Sequence, residues 1–292
     1  MQPGYFIQAQ LIKFILAIYR LAGLRAGSYL GSLLGRGLGK IAREGSLASD
    51  NIAQAMPHLS AAERKVILAK FWEQLGRLVG EFPHMPKIAR EAETRVLIEG
   101  EEHVKAALPD GGAGIFVSGH FSNWEASMLG VRQVVGRAGV LYRHANNPYM
   151  DAWIIRQRSS FMPLQIPKGS KGARVMLDEI KKGTSMVLLV DQKLSAGDPI
   201  TFMGRETKAP SAAVKTARRF DLPIIPTVVR RRHDGPDKSH FVQHFFPAIY
   251  VEKTDNLKAD TDKAMRQVYD AIEDWIETSP EEWLWAHNRW KE

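Results

Sequence analysis

The sequence contains no cysteine, which excludes disulfide staples, a thiol nucleophile and any cysteine-bound zinc, and suits a reducing compartment. It also lacks His-Glu-x-x-His and Gly-x-Ser-x-Gly, the spacings that carry a helix-borne zinc and a serine nucleophile on a sharp strand-to-helix turn. His240 and His244 are four apart, but the flanking Phe-Val-Gln-His-Phe-Phe pattern is that of a strand, which holds them roughly 13 Å apart. No metal site is expected. Repeats, low-complexity tracts and long linkers are missing too. Residues 1–43 hold no Asp or Glu.

What is present is an ordinary globular composition, 45% hydrophobic and 25% charged over 292 residues, which rules out a disordered or collagen-like chain. The length suits one large α/β domain or two small ones. The net charge is +8, and the acid-free residues 1–43 supply +6 of it through Lys13, Arg20, Arg25, Arg36, Lys40 and Arg43. The rest of the chain is nearly neutral. A basic pI is the usual pointer to nucleic acid, but here the charge belongs to an arm, and no nucleic-acid partner is expected.

That arm is also apolar. Lys13 and Arg20 interrupt it, leaving uninterrupted runs too short for the ~20 residues of a spanning helix. At helical spacing Leu11, Phe14, Ile15, Ile18 and Leu21 form one stripe, and Gln10, Lys13, Ala17 and Arg20 another. A basic face beside an aromatic and aliphatic one fits a helix lying in the surface of an anionic membrane. The same pattern fits an amphipathic helix packed on its own domain, or an organellar presequence. Residues 1–45 are therefore expected to be a membrane-associating segment and residues 46–292 the globular domain.

In the body, Ser60 and Glu63 have capping-box spacing and open a helix that Pro83 and Pro86 end. Short apolar runs then alternate with helix-length segments. Strands are expected over Gly114–Ser118, Gly139–Tyr142, Met186–Asp191, Ile224–Arg230 and Phe241–Val251. Helices are expected over Asn123–Val135, Pro148–Phe161, Ser170–Lys182, Pro210–Phe220 and Asn256–Thr278. This alternation implies a single α/β domain with a largely parallel central sheet flanked by helices. Ligands of such sheets bind at the carboxyl ends of the strands.

One such end carries Gly119-His120-Phe121-Ser122-Asn123-Trp124-Glu125. Histidine is suited to general base work near neutral pH, and a nearby carboxylate fixes its tautomer. His120 in the loop and Glu125 in the first helical turn can converge. Alternatively, Ser122-x-x-Glu125 is itself a capping box, and His120 an ordinary loop residue.

The His-x4-Glu block, followed by Tyr142-Arg143, resembles the late acyltransferases of lipid A biosynthesis, the lauroyl/myristoyl family, whose relatives are the His-x4-Asp glycerolipid acyltransferases. The resemblance covers nearly the whole chain. Asn51-Ile52, Ala55-Met56-Pro57, Leu59-Ser60, Trp72, Leu75-Gly76-Arg77 and Glu81 open it. His120-Phe121-Ser122-Asn123-Trp124-Glu125 is similar to that family's HFGNWE motif, with Ser122 at the commoner glycine. Asn147-Pro148, Arg156-x-Arg158, Lys182-Gly183, Asp191-Gln192, Phe202-Met203-Gly204 and the terminal run from Trp283 to Lys291 follow in order.

The resemblance implies transfer of a fatty acyl chain from acyl carrier protein to a hydroxyl of a lipid A precursor, without a cofactor, at the cytoplasmic face of the bacterial inner membrane. His120 is then the base and Glu125 its orienting carboxylate. An anionic glycolipid acceptor calls for cations at the strand ends: Arg143 first, then Arg156, Arg158 and Arg174. Asn123, Asp191 and Gln192 are further site-lining candidates. Arg230-Arg231-Arg232 would extend the anionic-headgroup surface, meet the acidic carrier protein, or form a solvated turn. Trp283, Trp285 and Trp290 would sit at the lipid interface or in the core. Two other functions fit the same arm and pocket: acylation of another membrane phospholipid or glycolipid, and lipid binding without catalysis. The arm is more interrupted by charge than the spanning helix usual in the family.

Overall fold

A computed structural model describes residues 3–41 and 43–290; Lys291 and the side chain of Arg43 lie outside the described part. Two helices open the chain, α1 (Pro3–Ala22) and α2 (Leu24–Leu38). Next come α3 (Arg43–Ala55), α4 (Ala61–Glu81), α5 (Met85–Arg90) and α6 (Ala92–Arg95). The body continues as β1 (Val96–Glu99), α7 (Glu101–Ala107), β2 (Ile115–Ser118), α8 (Trp124–Val135), β3 (Ala138–Tyr142), α9 (Pro148–Ser159), β4 (Gln165–Pro167), α10 (Ser170–Lys181) and β5 (Ser185–Leu189). It ends with β6 (Asp198–Phe202), β7 (Arg205–Ala209), α11 (Ala212–Phe220), β8 (Ile224–Arg231), β9 (Phe241–Phe245) and α12 (Leu257–Thr278).

Seven strands form one sheet in the order β1-β9-β8-β2-β5-β3-β4. β8, β2, β5, β3 and β4 are parallel, and β9 reverses against β8. The central strands are apolar on both faces because helices cover both. Alternate residues feed two cores. Ile115, Val117, Met186, Leu188 and Ile224 join α4, α12 and the C-terminal tryptophans on one face. Phe116, Val187, Ile225 and Val229 join α8 on the other. Each such side chain, fully buried, contributes ~1.5–3 kcal/mol of transfer free energy. β9 stops at Phe245 rather than running to Val251, because Pro247 has no N–H to donate to a ladder. Ser60 and Glu63 form the expected reciprocal cap at the start of α4.

The arm packs on the body through a different stripe from the one the sequence singled out. Ala9, Leu16 and Tyr19 of α1 are buried against Tyr149, Met150, Trp153 and Ile154 around α9. Asn147 Nδ2 donates to Tyr5 O and Gln8 Oε1 at 2.8 and 2.9 Å. Leu11, Phe14, Ile18 and Leu21 stay exposed, Leu21 to 88%. One face of α1, with Ile15 partly buried, thus packs on the protein, and the rest of the apolar stripe points outward. By length and composition Gly4–Ala22 is apolar enough to cross a membrane despite Lys13 and Arg20. α2 lies on α4 through glycines and also exposes Tyr29, Leu30, Leu33, Leu34 and Leu38.

Candidate active site

β2 and β5 are neighbours in register, Ser118 opposite Leu189, and each runs out at its carboxyl end into a loop. The first loop carries His120 and the second Asp191. The Asp191 carboxylate accepts from His120 Nδ1 at 2.7 Å, from the His120 backbone N–H at 2.8 Å and from Trp283 Nε1 at 2.8 Å. Gly119 allows this approach, since a Cβ there would lie 3.1 Å from Asp191 Oδ2 and 2.8 Å from the Phe121 ring. Burial alone would push the Asp191 carboxyl up. The His120 side chain, its backbone N–H and Trp283 overrule that and hold it down at about 2.

An ionised Asp191 only accepts, so Nδ1 of His120 is the donor and Nε2 keeps its lone pair. Nε2 faces a pocket of about 330 Å³, with Gln192 Nε2 3.4 Å away. Trp124 packs edge-on against the imidazole, with the ring centroids 5.1 Å apart. Met128, Val140, Met162, Val187 and Leu189 form the apolar part of the pocket wall.

Glu125 lines this pocket but does not orient His120. Arg158 grips it with two hydrogen bonds, Nε to Oε2 at 2.8 Å and Nη2 to Oε1. Burial disfavours the guanidinium charge, yet Glu125 beside it holds the proton more firmly than usual. The carboxylate on His120 is the one at the neighbouring strand end. Nor does Ser122 cap α8: its Oγ has no partner among the described residues, and the N-cap position falls at Asn123. Ser122 has φ 49°, a left-handed conformation that glycine adopts without strain. This is the position at which the family motif usually has glycine.

The other expected site residues separate cleanly. Arg143, Arg158 and Gln192 line the pocket. Arg156 and Arg174 are exposed on α9 and α10, away from it. Asn123 is buried and donates to Glu81 Oε2 at 2.8 Å, so it holds the loop. Glu81 also accepts from Ser28 Oγ at 2.7 Å and from both terminal nitrogens of Arg231. The arginine triplet is committed internally: Arg231 to Glu81, Arg230 to Glu282 and Arg232 to Asp234. Each of the three thus has a carboxylate partner.

Trp283, Trp285 and Trp290 are buried, at 2%, 0% and 8% exposure, so the lipid-interface placement falls and the core placement stands. Their segment is zipped to the His120 loop. Ser122 N–H donates to Glu282 O at 2.8 Å and Leu284 N–H to His120 O at 3.0 Å. Asn51 Nδ2 ties the carbonyls of Trp285 and His287 to α3. Burial pushes His287 down to about 4 against a pull from Asp191, with His120, Arg289 and Arg143 adding to the drop. Lys168, which the sequence reading missed, also lines the pocket; its place just beyond a three-residue strand gave no periodic signal. Among the described residues no group of three or more His, Asp or Glu side chains is placed to hold a metal ion. His240 and His244 bond separately to Asp237 and Glu99.

The chain was compared with known proteins. The sequence profile described as bacterial lipid A biosynthesis acyltransferase matches residues 1–292. The chain is 26% identical over 279 residues to the lipid A biosynthesis lauroyltransferase of Escherichia coli (strain K12), covering 88% of this chain and 84% of that one. It is 22% identical over 284 residues to the lipid A biosynthesis acyltransferase of Haemophilus influenzae, covering 93% and 84%. Among solved structures it is similar to the 1-acyl-sn-glycerophosphate acyltransferase PlsC of Thermotoga maritima, with a TM-score of 0.43, 11% identity, and coverage of 96% and 99%. With the family profile matching from end to end, the chain belongs to the bacterial lipid A biosynthesis acyltransferase family and is an acyltransferase.

Proposed function

We propose that this enzyme moves a fatty acyl chain from the thioester of acyl carrier protein to a hydroxyl of a lipid A precursor, with His120 as general base. Nε2 of His120 takes the hydroxyl proton as the oxygen attacks the thioester carbonyl. The tetrahedral adduct collapses, the carbon–sulfur bond breaks, and the imidazolium returns its proton to the departing thiolate. Asp191 fixes the tautomer and stabilises the imidazolium. Glu125 and Arg158 brace the pocket wall beside it. The observation that supports this most directly is the pairing of His120 Nδ1 with a buried, ionised Asp191, which leaves Nε2 free on the side of the pocket that His120 lines.

The acceptor is a lipid, and the outward apolar faces of α1 and α2, flanked by cations and free of acid, suit the surface of an anionic membrane. Residues 1–45 then hold the catalytic domain on the bilayer. A carrier-protein donor places the reaction on the cytoplasmic face of the inner membrane.

The test is transfer from acyl carrier protein thioesters to a defined lipid A precursor, with wild type and His120→Ala. General base catalysis contributes ~10²–10⁴-fold, so the variant loses at least that range of turnover while its circular dichroism is unchanged. A folded variant with near-normal transfer refutes the base. Wild-type transfer only to a glycerophospholipid replaces the acceptor and leaves the chemistry standing.

A further inference from the structure

The catalytic pocket holds three cations, and only one has found its counter-charge. Arg158 is spent on Glu125. Arg143 and Lys168 are different. β3 and β4 are parallel with Tyr142 opposite Pro167, and Lys168 N–H donates to Tyr142 O at 2.8 Å. Arg143 and Lys168 are therefore the next residues past the last paired position of adjacent strands, side by side at the carboxyl edge of the sheet. Both line the same cavity as His120.

No carboxylate among the described residues neutralises them. Asp191 is held by His120 and Trp283. Asp151, on the helix after β3, is held by His144 Nδ1 and the Ala145 N–H. The first turn of α10, just after Lys168, has no acidic residue. Burial pushes the Lys168 ammonium down, and the positive charge of Arg143 pushes it further, against a partial pull from Asp191. Two like charges held together in a concave site, with every nearby carboxylate engaged elsewhere, are arranged for an anion that the substrate brings.

We propose that Arg143 and Lys168 form a phosphate-binding site at the catalytic pocket, which takes a phosphate ester carried by one of the two substrates. The guanidinium fork engages two phosphate oxygens and the ammonium acts as a point charge on the third. The assignment rests on the acyl-transfer reading, in which either partner can supply the group: the phosphopantetheine that bears the thioester, or a phosphorylated sugar of the acceptor. Bound there, the phosphate fixes one substrate relative to His120 Nε2, so the pair positions rather than reacts.

The experiment has an equilibrium arm and a kinetic arm. Calorimetric titration of the full chain in detergent with inorganic phosphate should show saturable binding to wild type and to His120→Ala. Arg143→Ala and Lys168→Ala should each bind about tenfold more weakly or worse, as expected for losing a hydrogen bond to a charged group. Lys168→Arg should retain binding. No saturable phosphate binding to wild type, or the same affinity in both alanine variants, overturns the proposal. In kinetics, Lys168→Ala should raise KM for the phosphate-bearing substrate about tenfold, with kcat changed far less. That penalty should vanish when the same substrate lacks its phosphate. Comparing acyl-pantetheine with acyl-phosphopantetheine tests the donor; comparing dephosphorylated with phosphorylated glycolipid tests the acceptor. A penalty that disappears in one comparison names the source, and a penalty that survives both overturns the proposal. Failure of the transfer reading is separate: it shows as absent wild-type transfer, or as activity in His120→Ala, while phosphate binding still judges the site.

Discussion

Among single residues, Asp191 is the one that holds His120, and under the proposed mechanism it fixes which ring nitrogen keeps its lone pair. Replacing it with asparagine keeps the shape, but the amide can donate as well as accept, so the tautomer and the imidazolium both lose their support. We expect Asp191→Asn to lower kcat by about 10²–10⁴-fold, judged against the same acyl-transfer assay. Glu125→Gln, which leaves Arg158 an acceptor, should cost less, and the opposite ranking would return the orienting role to Glu125. The pH dependence follows from the depressed carboxyl, held at about 2 against an ordinary 3.8. The unfolded chain binds this proton first as pH falls, so the stabilisation is complete above about pH 4 and fades towards pH 2. Melting temperatures of wild type and Asp191→Asn should converge as pH is lowered from about 4 towards 2. Sequence reasoning singled out both His120 and Asp191 but paired His120 with Glu125. Five residues is a distance that local geometry can judge. The true partner lies 71 positions away and becomes visible only once β2 and β5 are known to be neighbours.

At the level of elements, the α2–α4 contact is set by glycine. A Cβ on Gly31 would meet Gly76 O at 2.2 Å, and one on Gly80 would meet Gly27 O at 2.1 Å, so the two backbones touch. Gly37, on the same helix, has nothing within 4 Å of the same added atom. Alanine normally stabilises a helix relative to glycine by ~0.5–1 kcal/mol. Gly37→Ala should therefore raise stability by up to that amount, whereas Gly31→Ala should lower it by ~1–3 kcal/mol through forced separation. Urea unfolding of both variants checks the pair, and equal signs would show that the helices are not in backbone contact. The four-residue recurrence of Gly27, Gly31, Gly35 and Gly39 was open to reading in the sequence, but the apolar stripe beside it drew the assignment. Long elements were legible within a few residues, as with α12 and β8. The hairpin β6–β7 was not, because Arg-Glu-Thr-Lys-Ala is a polar edge strand and its turn, Met203-Gly204 at positive φ, has no Asn or Asp before the glycine. β1 and β4, at four and three residues, are too short for a periodicity to register.

For the whole molecule, the +8 charge resolves into a cationic arm on a nearly neutral body, and the fold turns the arm's apolar face outward. A lipid surface that meets this face gains ~1 kcal/mol from each nearby cation. Lys13→Gln or Lys40→Gln should thus weaken sedimentation with anionic vesicles about fivefold each and leave binding to neutral vesicles unchanged. Leu33→Ser with Leu34→Ser should weaken both. Indifference to lipid charge would mean that these cations play no part in attachment. Deleting residues 1–22 would uncover Met150 and Ile154, and strip Asn147 of both its acceptors. The helix left bare is α9, whose last turn carries the arginine that braces Glu125. A shortened version would therefore lose the backing of the wall of the proposed site, and its kinetics would not stand in for those of the intact enzyme.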